Sequence, residues 1–215
     1  MMEEKEASLQ GYHFDCIPRA RSLLREKANE ASKKKCNTLI CVLENPKNMQ
    51  NIGAVIRTAH CLGVGKLYII EESKIPQRTK DDLNVVRPWR EHLRHNSSLM
   101  NSSSSAIKWT YLRKFSSSQE CLEYLKKKNY TSIVTSPHIK GKNNVLLSDG
   151  NYTDKKLAVW FGNETVGISN LVVNAADRCI QIPMCGIVES FNLAVSAGIV
   201  LYEITQQRRL FIEKK

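Results

Sequence analysis

The chain reads as an α/β protein with a mostly parallel sheet, and three observations predict it. Short runs rich in branched aliphatic residues, TLICVL (38–43), KLYII (66–70), TSIVTS (131–136), LAVWF (157–161) and CIQI (179–182), have the length and composition of buried strands. Most of the segments between them carry apolar residues at helical spacing. Strand and helix alternate, and that order yields parallel pairs joined by crossover helices.

The elements follow in order. Residues 12–35 hold Arg19, Arg21, Arg25, Lys27 and Lys33, Lys34 and Lys35, interleaved with Ile17, Ala20, Leu23, Leu24 and Ala28. This pattern predicts a basic, partly amphipathic helix after Pro18. The strand TLICVL leads into a polar turn, ENPKNMQ; Ile52, Val55, Ile56, Ala59 and Leu62 then recur at helical spacing, and Gly63 is a natural stop. KLYII completes a β-loop-α-β unit. From Glu71 to about Ala106 the periodicity is lost, and Lys74, Arg78, Lys80, Arg87, Arg90 and Arg94 precede a serine run at 102–105. That segment reads as a long, mobile, basic insertion. WTYL (109–112) is a predicted strand, and a helix follows over 117–128 with Cys121, Leu122 and Leu125 inward. After TSIVTS and LAVWF, the stretch GNETVGISNLVVNAA is a loop opening a helix. CIQI and a glycine-containing turn lead to a last helix from Ser190 to Gln207, with Phe191, Val195, Ile199 and Tyr202 along one face. The chain thus divides into a basic extension (1–36), one domain (37–209) and a tail (210–215).

Composition narrows the function. The 215 residues and 42% hydrophobic content suit one α/β domain with a sizeable core. A net charge of +11 favours a polyanionic partner, without distinguishing RNA from DNA or an acidic membrane surface. No apolar run approaches the roughly 20 residues that span a bilayer, and the charged start MMEEKEASLQ lacks the apolar stretch of a secretory signal. A cytoplasmic protein is expected. Seven cysteines, an odd count without a CxxC pair, argue against a disulfide framework. Cys41, Cys61, Cys179 and Cys185 sit among apolar neighbours and read as small hydrophobes. His92 and His95 share a helical spacing but lack a third ligand, so no metal site is expected.

Ligands of open α/β sheets gather at the carboxyl ends of the strands. Four polar loops leave strands here, 44–51, 135–144, 162–169 and 183–190, and they bring Asn51, Arg57, Asn163, Glu164, Ser190 and Asn192 to one edge. Familiar nucleotide motifs fail. GVGK (63–66) is not a phosphate loop, since His60 and Leu67 stand where glycine and Ser or Thr are required; GxGxxG and GxSxG are absent.

Three blocks, NIGAVIRTA (51–59) with Gly63, FGNETVGIS (161–169) and IPMCGIVESFNLAVSAGIVLYE (182–203), resemble the three ordered motifs of the SpoU (TrmH) family of the SPOUT RNA 2′-O-methyltransferases. The resemblance runs from about Thr38 to Arg209, interrupted at 71–106. KWTYLR (108–113) and ITQQRR (204–209) are more similar to the members acting on guanosine 18 of the tRNA D-loop than to those acting on rRNA. The resemblance implies a SPOUT-type α/β knot: a mostly parallel sheet with a C-terminal trefoil knot, flanked by helices and working as a homodimer, whereas most chains are unknotted. It also implies S-adenosyl-L-methionine as cofactor, S-adenosyl-L-homocysteine as product and tRNA as partner; from the residues themselves, neither a membrane nor a metal is expected.

By position, the resemblance assigns the cofactor pocket to Thr135, Ser136, Gly162, Asn163, Ile182, Met184, Phe191, Asn192 and Leu193. Catalytic roles fall to Arg57, Asn51, Glu164, Ser190 and Asn192. A guanidinium is a poor general base, so Arg57 is expected to pair with the target phosphate, whose oxygen then receives the hydroxyl proton. Asn51 is expected to orient Arg57 or the ribose, and Glu164 to hold an arginine or loop across the site or dimer interface. Simpler readings stand beside these: Arg57 as a surface arginine, Asn51 and Ser190 as helix caps, Glu164 as a helix-dipole partner. Arg19, Arg25, Lys33, Lys34, Lys35, Arg57, Arg87 and Arg90 are the expected RNA contacts. The chain departs from the family at Gln50, where a histidine is common, and at Phe191, Leu193 and Ala194, where leucine, valine and serine are usual. Volume changes of that size are tolerated in an apolar pocket. Methylation of rRNA or another tRNA position is the alternative, and a catalytically silent RNA-binding member of the fold is a second.

Overall fold

A computed structural model describes residues 16–72, 93, 96–138 and 143–213, without the side chains of 16–22 and 24. The chain forms two units, Met1–Lys35 and Cys36–Lys215. The described part of the first is helix α1 (Cys16–Lys33), on which Arg25 and Lys33 are exposed, as is Lys34 just beyond it. Lys33 pairs with Glu30 one turn back at 2.7 Å.

The second unit is organised by strand β1 (Cys36–Glu44), whose residues Leu39 to Glu44 are all buried. Among the described residues, seven parallel strands lie in the order β3-β2-β1-β6-β4-β7-β5. They are β2 (Val64–Ile70), β3 (Tyr111–Phe115), β4 (Thr131–Thr135), β5 (Asn144–Leu146), β6 (Leu157–Phe161) and β7 (Arg178–Gln181) with β1. Alternate residues of β1 serve opposite faces, as the period of a strand demands. Leu39, Cys41 and Leu43 pack with helices α2 (Met49–Cys61), α3 (Ser97–Ser102) and α6 (Leu193–Glu213). Ile40 and Val42 pack with α4 (Ser118–Lys127) and α5 (Asn170–Ala175). Covered on both faces, β1 and β6 carry the uninterrupted apolar runs typical of parallel sheets.

Several boundaries differ from the sequence reading. The first unit ends at Lys35, one residue before the expected division at 36. The segment 71–106 is not wholly irregular: α3 is capped by Asn96, whose side chain accepts from the Leu99 N–H at 2.9 Å, and Leu99 is fully buried beside α2. A 3-10 turn (Ala106–Lys108) then buries Ala106 and Ile107 and delays the next strand to Tyr111. Six serines, at 97, 98 and 102–105, hid this order, because their small side chains show no apolar period. Residues 73–92, 94 and 95, with Arg87, Arg90, His92 and His95, lie outside the described part. β5 was missed; three residues are too few for a periodic signal. The last helix starts at Leu193 and continues to Glu213, and Val195, Ile199 and Tyr202 face outward while Ala197, Val200, Leu201 and Ile204 face the sheet. Of the cysteines read as apolar, Cys41 and Cys179 are buried, whereas Cys61 and Cys185 are exposed. Deep in the second unit, Arg208 of α6 donates to the carbonyls of Tyr152 and Asp154 and to Thr38 Oγ1, tying the approach to β6 to the start of β1. Among the described residues no helix is long and apolar enough to cross a membrane.

The α2–α3 contact is close enough to test. A methyl group at Gly53 would meet Ser102 Oγ at 1.8 Å and Leu99 O at 2.9 Å. Gly53→Ala should therefore destabilise the chain by about 1–3 kcal/mol, read as a lowered chemical-denaturation midpoint. A Gly53→Ala protein as stable as wild type would mean that α3 is not seated on α2.

Candidate active site

The carboxyl ends of β4, β6 and β7 surround a cavity of about 280 Å³. Its walls come from the loops predicted to matter: Thr135 to His138 after β4, Gly162 to Ile168 after β6, and Ile182, Met184, Glu189, Ser190, Phe191 and Leu193 after β7. Phe161, Ile180 and Ser196 complete it. Aliphatic, thioether and aromatic surfaces thus face hydroxyl, amide and backbone groups, the usual make-up of a small-molecule site. Among the described residues no lysine or arginine lines the cavity, and the carboxylates that do are Glu164 and Glu189.

The loop after β6 is a tight hairpin. Asn163 and Gly167 exchange backbone hydrogen bonds at 3.0 and 2.9 Å, and Asn163 Oδ1 accepts from the N–H groups of Thr165 and Val166. Gly167 has φ 73°, the left-handed region that favours glycine. A Cβ at Gly162 would stand 2.2 Å from Gly167 C and Ile168 N, so only glycine lets the two arms close.

This hairpin is laced to the loop after β1. Asn163 Nδ2 donates to the Asn45 carbonyl at 2.6 Å. Glu164 accepts from the N–H groups of Lys47 (2.9 Å) and Asn48 (3.2 Å) and from Asn51 Nδ2 (3.0 Å). Asn51 Oδ1 in turn accepts from Asn192 Nδ2 at 3.1 Å. Asn192 Oδ1 caps the last helix, accepting from Ala194 N at 2.8 Å and Val195 N at 3.4 Å. One relay, Glu164–Asn51–Asn192, therefore joins all three motif blocks. Burial by itself raises the Glu164 carboxyl, but the hydrogen bonds from Lys47, Asn51, its own backbone and Asn48 hold it below the ordinary carboxylate value.

The predicted pocket residues converge with one exception. Thr135, Ser136, Gly162, Asn163, Ile182, Met184, Phe191 and Leu193 line the cavity, while Asn192 stands beside it in the relay. Thr135 Oγ1 donates to the Trp160 carbonyl, and Ser136 Oγ accepts from the His138 N–H. Ser190 lines the cavity but precedes the helix cap, which is Asn192. Asn51 is not the cap of α2; Asn48 is, through its side-chain oxygen. Nor does Asn51 bond Arg57: its amide is committed to Glu164 and Asn192. Arg57 is exposed on α2, roughly 9 Å further along the axis and about a third of a turn away from Asn51, and it does not line the cavity. Lys47, Asn48, His138, Glu189 and Ser196 were not foreseen. All but Ser196 fall within the four flagged loops, so position was the available signal.

Fold and cavity together define a doubly covered parallel α/β protein with a ligand site at the carboxyl edge. The model of the SpoU rRNA Methylase family matches residues 80–202, and the chain belongs to that family. It is 30% identical over 173 residues to a tRNA (guanosine(18)-2'-O)-methyltransferase of Borreliella burgdorferi, covering 80% of this chain and 68% of that protein. With the protein of the same description from Thermus thermophilus it shares 28% identity over 86% of its own length and 82% of the other. Its fold superposes on the TrmH/SpoU tRNA modifying enzyme of A. aeolicus with a TM-score of 0.67, at 26% identity over 88% of this chain and 86% of that one.

The depressed Glu164 value sets a pH dependence. Its stabilising hydrogen bonds are fully present above the unfolded carboxylate value of about 4.3 and are lost as pH falls through the lower folded value. The melting temperature of wild type should exceed that of Glu164→Gln at neutral pH, with the gap narrowing as pH falls below about 4. A gap independent of pH would mean that the carboxylate charge contributes nothing to this lacing.

Proposed function

We propose that this chain is a cytoplasmic S-adenosyl-L-methionine-dependent 2′-O-methyltransferase acting on tRNA, with guanosine 18 as target. The observation that carries the reading is the charge of the cavity. In a chain of net charge +11, the described residues that line the cavity include two carboxylates and no lysine or arginine. A phosphate-bearing ligand gains nothing there, whereas a sulfonium ligand with an ammonium group meets a favourable field. Basic side chains outside the described lining are available to a polyanion. Arg25, Lys33, Lys34 and Arg57 are exposed, and with Arg19, Lys35, Arg87 and Arg90 they are the RNA contacts of this reading.

S-adenosyl-L-methionine, when bound, supplies a methyl group activated by a positively charged sulfur, and S-adenosyl-L-homocysteine remains. Ile182, Met184, Phe191 and Leu193 offer the apolar surface for the adenine; Thr135, Ser136 and the backbone of Gly162 and Asn163 offer polar partners. Arg57 holds the phosphate of the target nucleotide, and a phosphate oxygen takes the proton of the 2′-hydroxyl as it attacks. Glu164, Asn51 and Asn192 keep the three loops in one arrangement, so the rate arises mainly from orientation. Ser190 adds a hydroxyl at the cavity rim.

The strand order, in which β6 returns between β1 and β4 after β5 has taken the far edge, supports a C-terminal trefoil knot in this reading. A homodimer belongs to it as well. Val195 and Tyr202 are 49% and 56% exposed, and with Phe191 and Ile199 they form an apolar strip beginning at the cavity. Val195→Asp/Tyr202→Asp should convert a dimer to a monomer in light scattering; a wild-type chain already monomeric at micromolar concentration would refute the dimer.

Transfer of a labelled methyl group to total tRNA tests the activity. Wild type should yield alkali-resistant label at guanosine 18, and Arg57→Ala should lower the rate by about 100-fold or more. Label in rRNA alone would retain the chemistry and discard the substrate, and failure to bind the cofactor would remove both.

A further inference from the structure

Glu44, the last residue of β1, is 2% exposed. A buried carboxylate persists only where donors replace its water. Its Oε2 accepts from the Ser169 N–H at 2.8 Å, and its Oε1 accepts from Ser169 Oγ at 2.6 Å and Ser118 Oγ at 2.5 Å. Ser169 is the residue on which the 162–169 loop ends and α5 begins, and its hydroxyl also caps that helix by accepting from the Val172 N–H at 3.3 Å. The neighbouring Asn45 carbonyl receives Asn163 at the loop's other end. Glu44, the last residue of β1, and Asn45, the first beyond it, thus grip the loop at exit and entry, while its intervening residues line the cavity. Glu44 is absent from that lining and borders a separate cleft beneath the loop.

We propose that Glu44 is a positioning residue for methyl transfer: its side chain fixes the exit of the 162–169 loop and so sets the affinity for the cofactor, without touching cofactor or RNA. The inference rests on the reading that the cavity holds S-adenosyl-L-methionine. The donor pattern specifies what may replace it. Oε1 faces two hydroxyls, which can turn to accept, whereas Oε2 faces an N–H, which can only donate. A glutamine fits in one orientation, with its oxygen on the Ser169 N–H and its amide on the hydroxyls. An alanine leaves that N–H without its partner.

The test uses the full chain. Glu44→Ala should raise the KM and Kd for S-adenosyl-L-methionine about tenfold, with kcat changed by less than about threefold. Glu44→Gln should recover most of the lost affinity. Without any ligand, amide exchange over 163–172 should quicken in Glu44→Ala while the core of β1 and β6 keeps its protection. Should the alanine variant be insoluble, Glu44→Asp, which shortens the reach by one methylene, carries the same expectation. Wild-type affinity with unchanged loop exchange overturns the proposal. So does exchange quickening throughout the sheet with kcat falling as far as KM rises, which would make Glu44 a core residue only. If wild type itself does not bind S-adenosyl-L-methionine, the cofactor reading fails, and the ligand-free exchange still decides whether Glu44 holds the loop.

Discussion

Strands β1 and β6 are parallel neighbours, so the loops leaving their carboxyl ends emerge side by side. Polar backbone in such loops has to find partners beyond the sheet ladder. Here each loop supplies what the other lacks. The hairpin after β6 brings a carboxylate and an amide, and the loop after β1 presents N–H groups of Lys47 and Asn48 and the carbonyl of Asn45. Through Asn51 and Asn192 the same lacing reaches the last helix. The cavity walls are thereby held in one arrangement by hydrogen bonds within the protein, and walls so fixed keep the ordering cost of binding low.

Charge is distributed with equal economy. Among the described residues no lysine or arginine lines the cavity, whereas Glu164 and Glu189 do. A pocket lined in this way presents a favourable field to a cationic small molecule. Arg57 is exposed on α2 and outside the cavity. The absence of an Asn51–Arg57 contact follows from the relay, because both ends of the Asn51 amide are already engaged.

Much of this was legible along the chain. LAVWF coincides with β6, and the helical period of Ile52, Val55, Ile56 and Ala59 matches the buried face of α2. Both signals are local, arising from residues that face one environment. The four polar loops were legible too, since parallel topology forces them to one edge. Less was visible where the period is short or the residues small: three-residue β5 and serine-rich α3 escaped notice. The orientation of the last helix was left open for a different reason. Val195, Ile199 and Tyr202 make as good an apolar stripe as Ala197, Val200, Leu201 and Ile204, and periodicity does not say which stripe meets the sheet.

By itself, then, the sequence determined the alternation of elements, the motif blocks and the basic charge, because each is encoded by residues near one another. Partners more than a hundred positions apart were decided only by the tertiary structure. Glu164 meets Lys47, Asn192 meets Asn51, and Glu44 meets Ser169 because parallel strands distant in the chain became neighbours. A hydrogen bond requires a distance and a direction, and neither is written in the order of the residues.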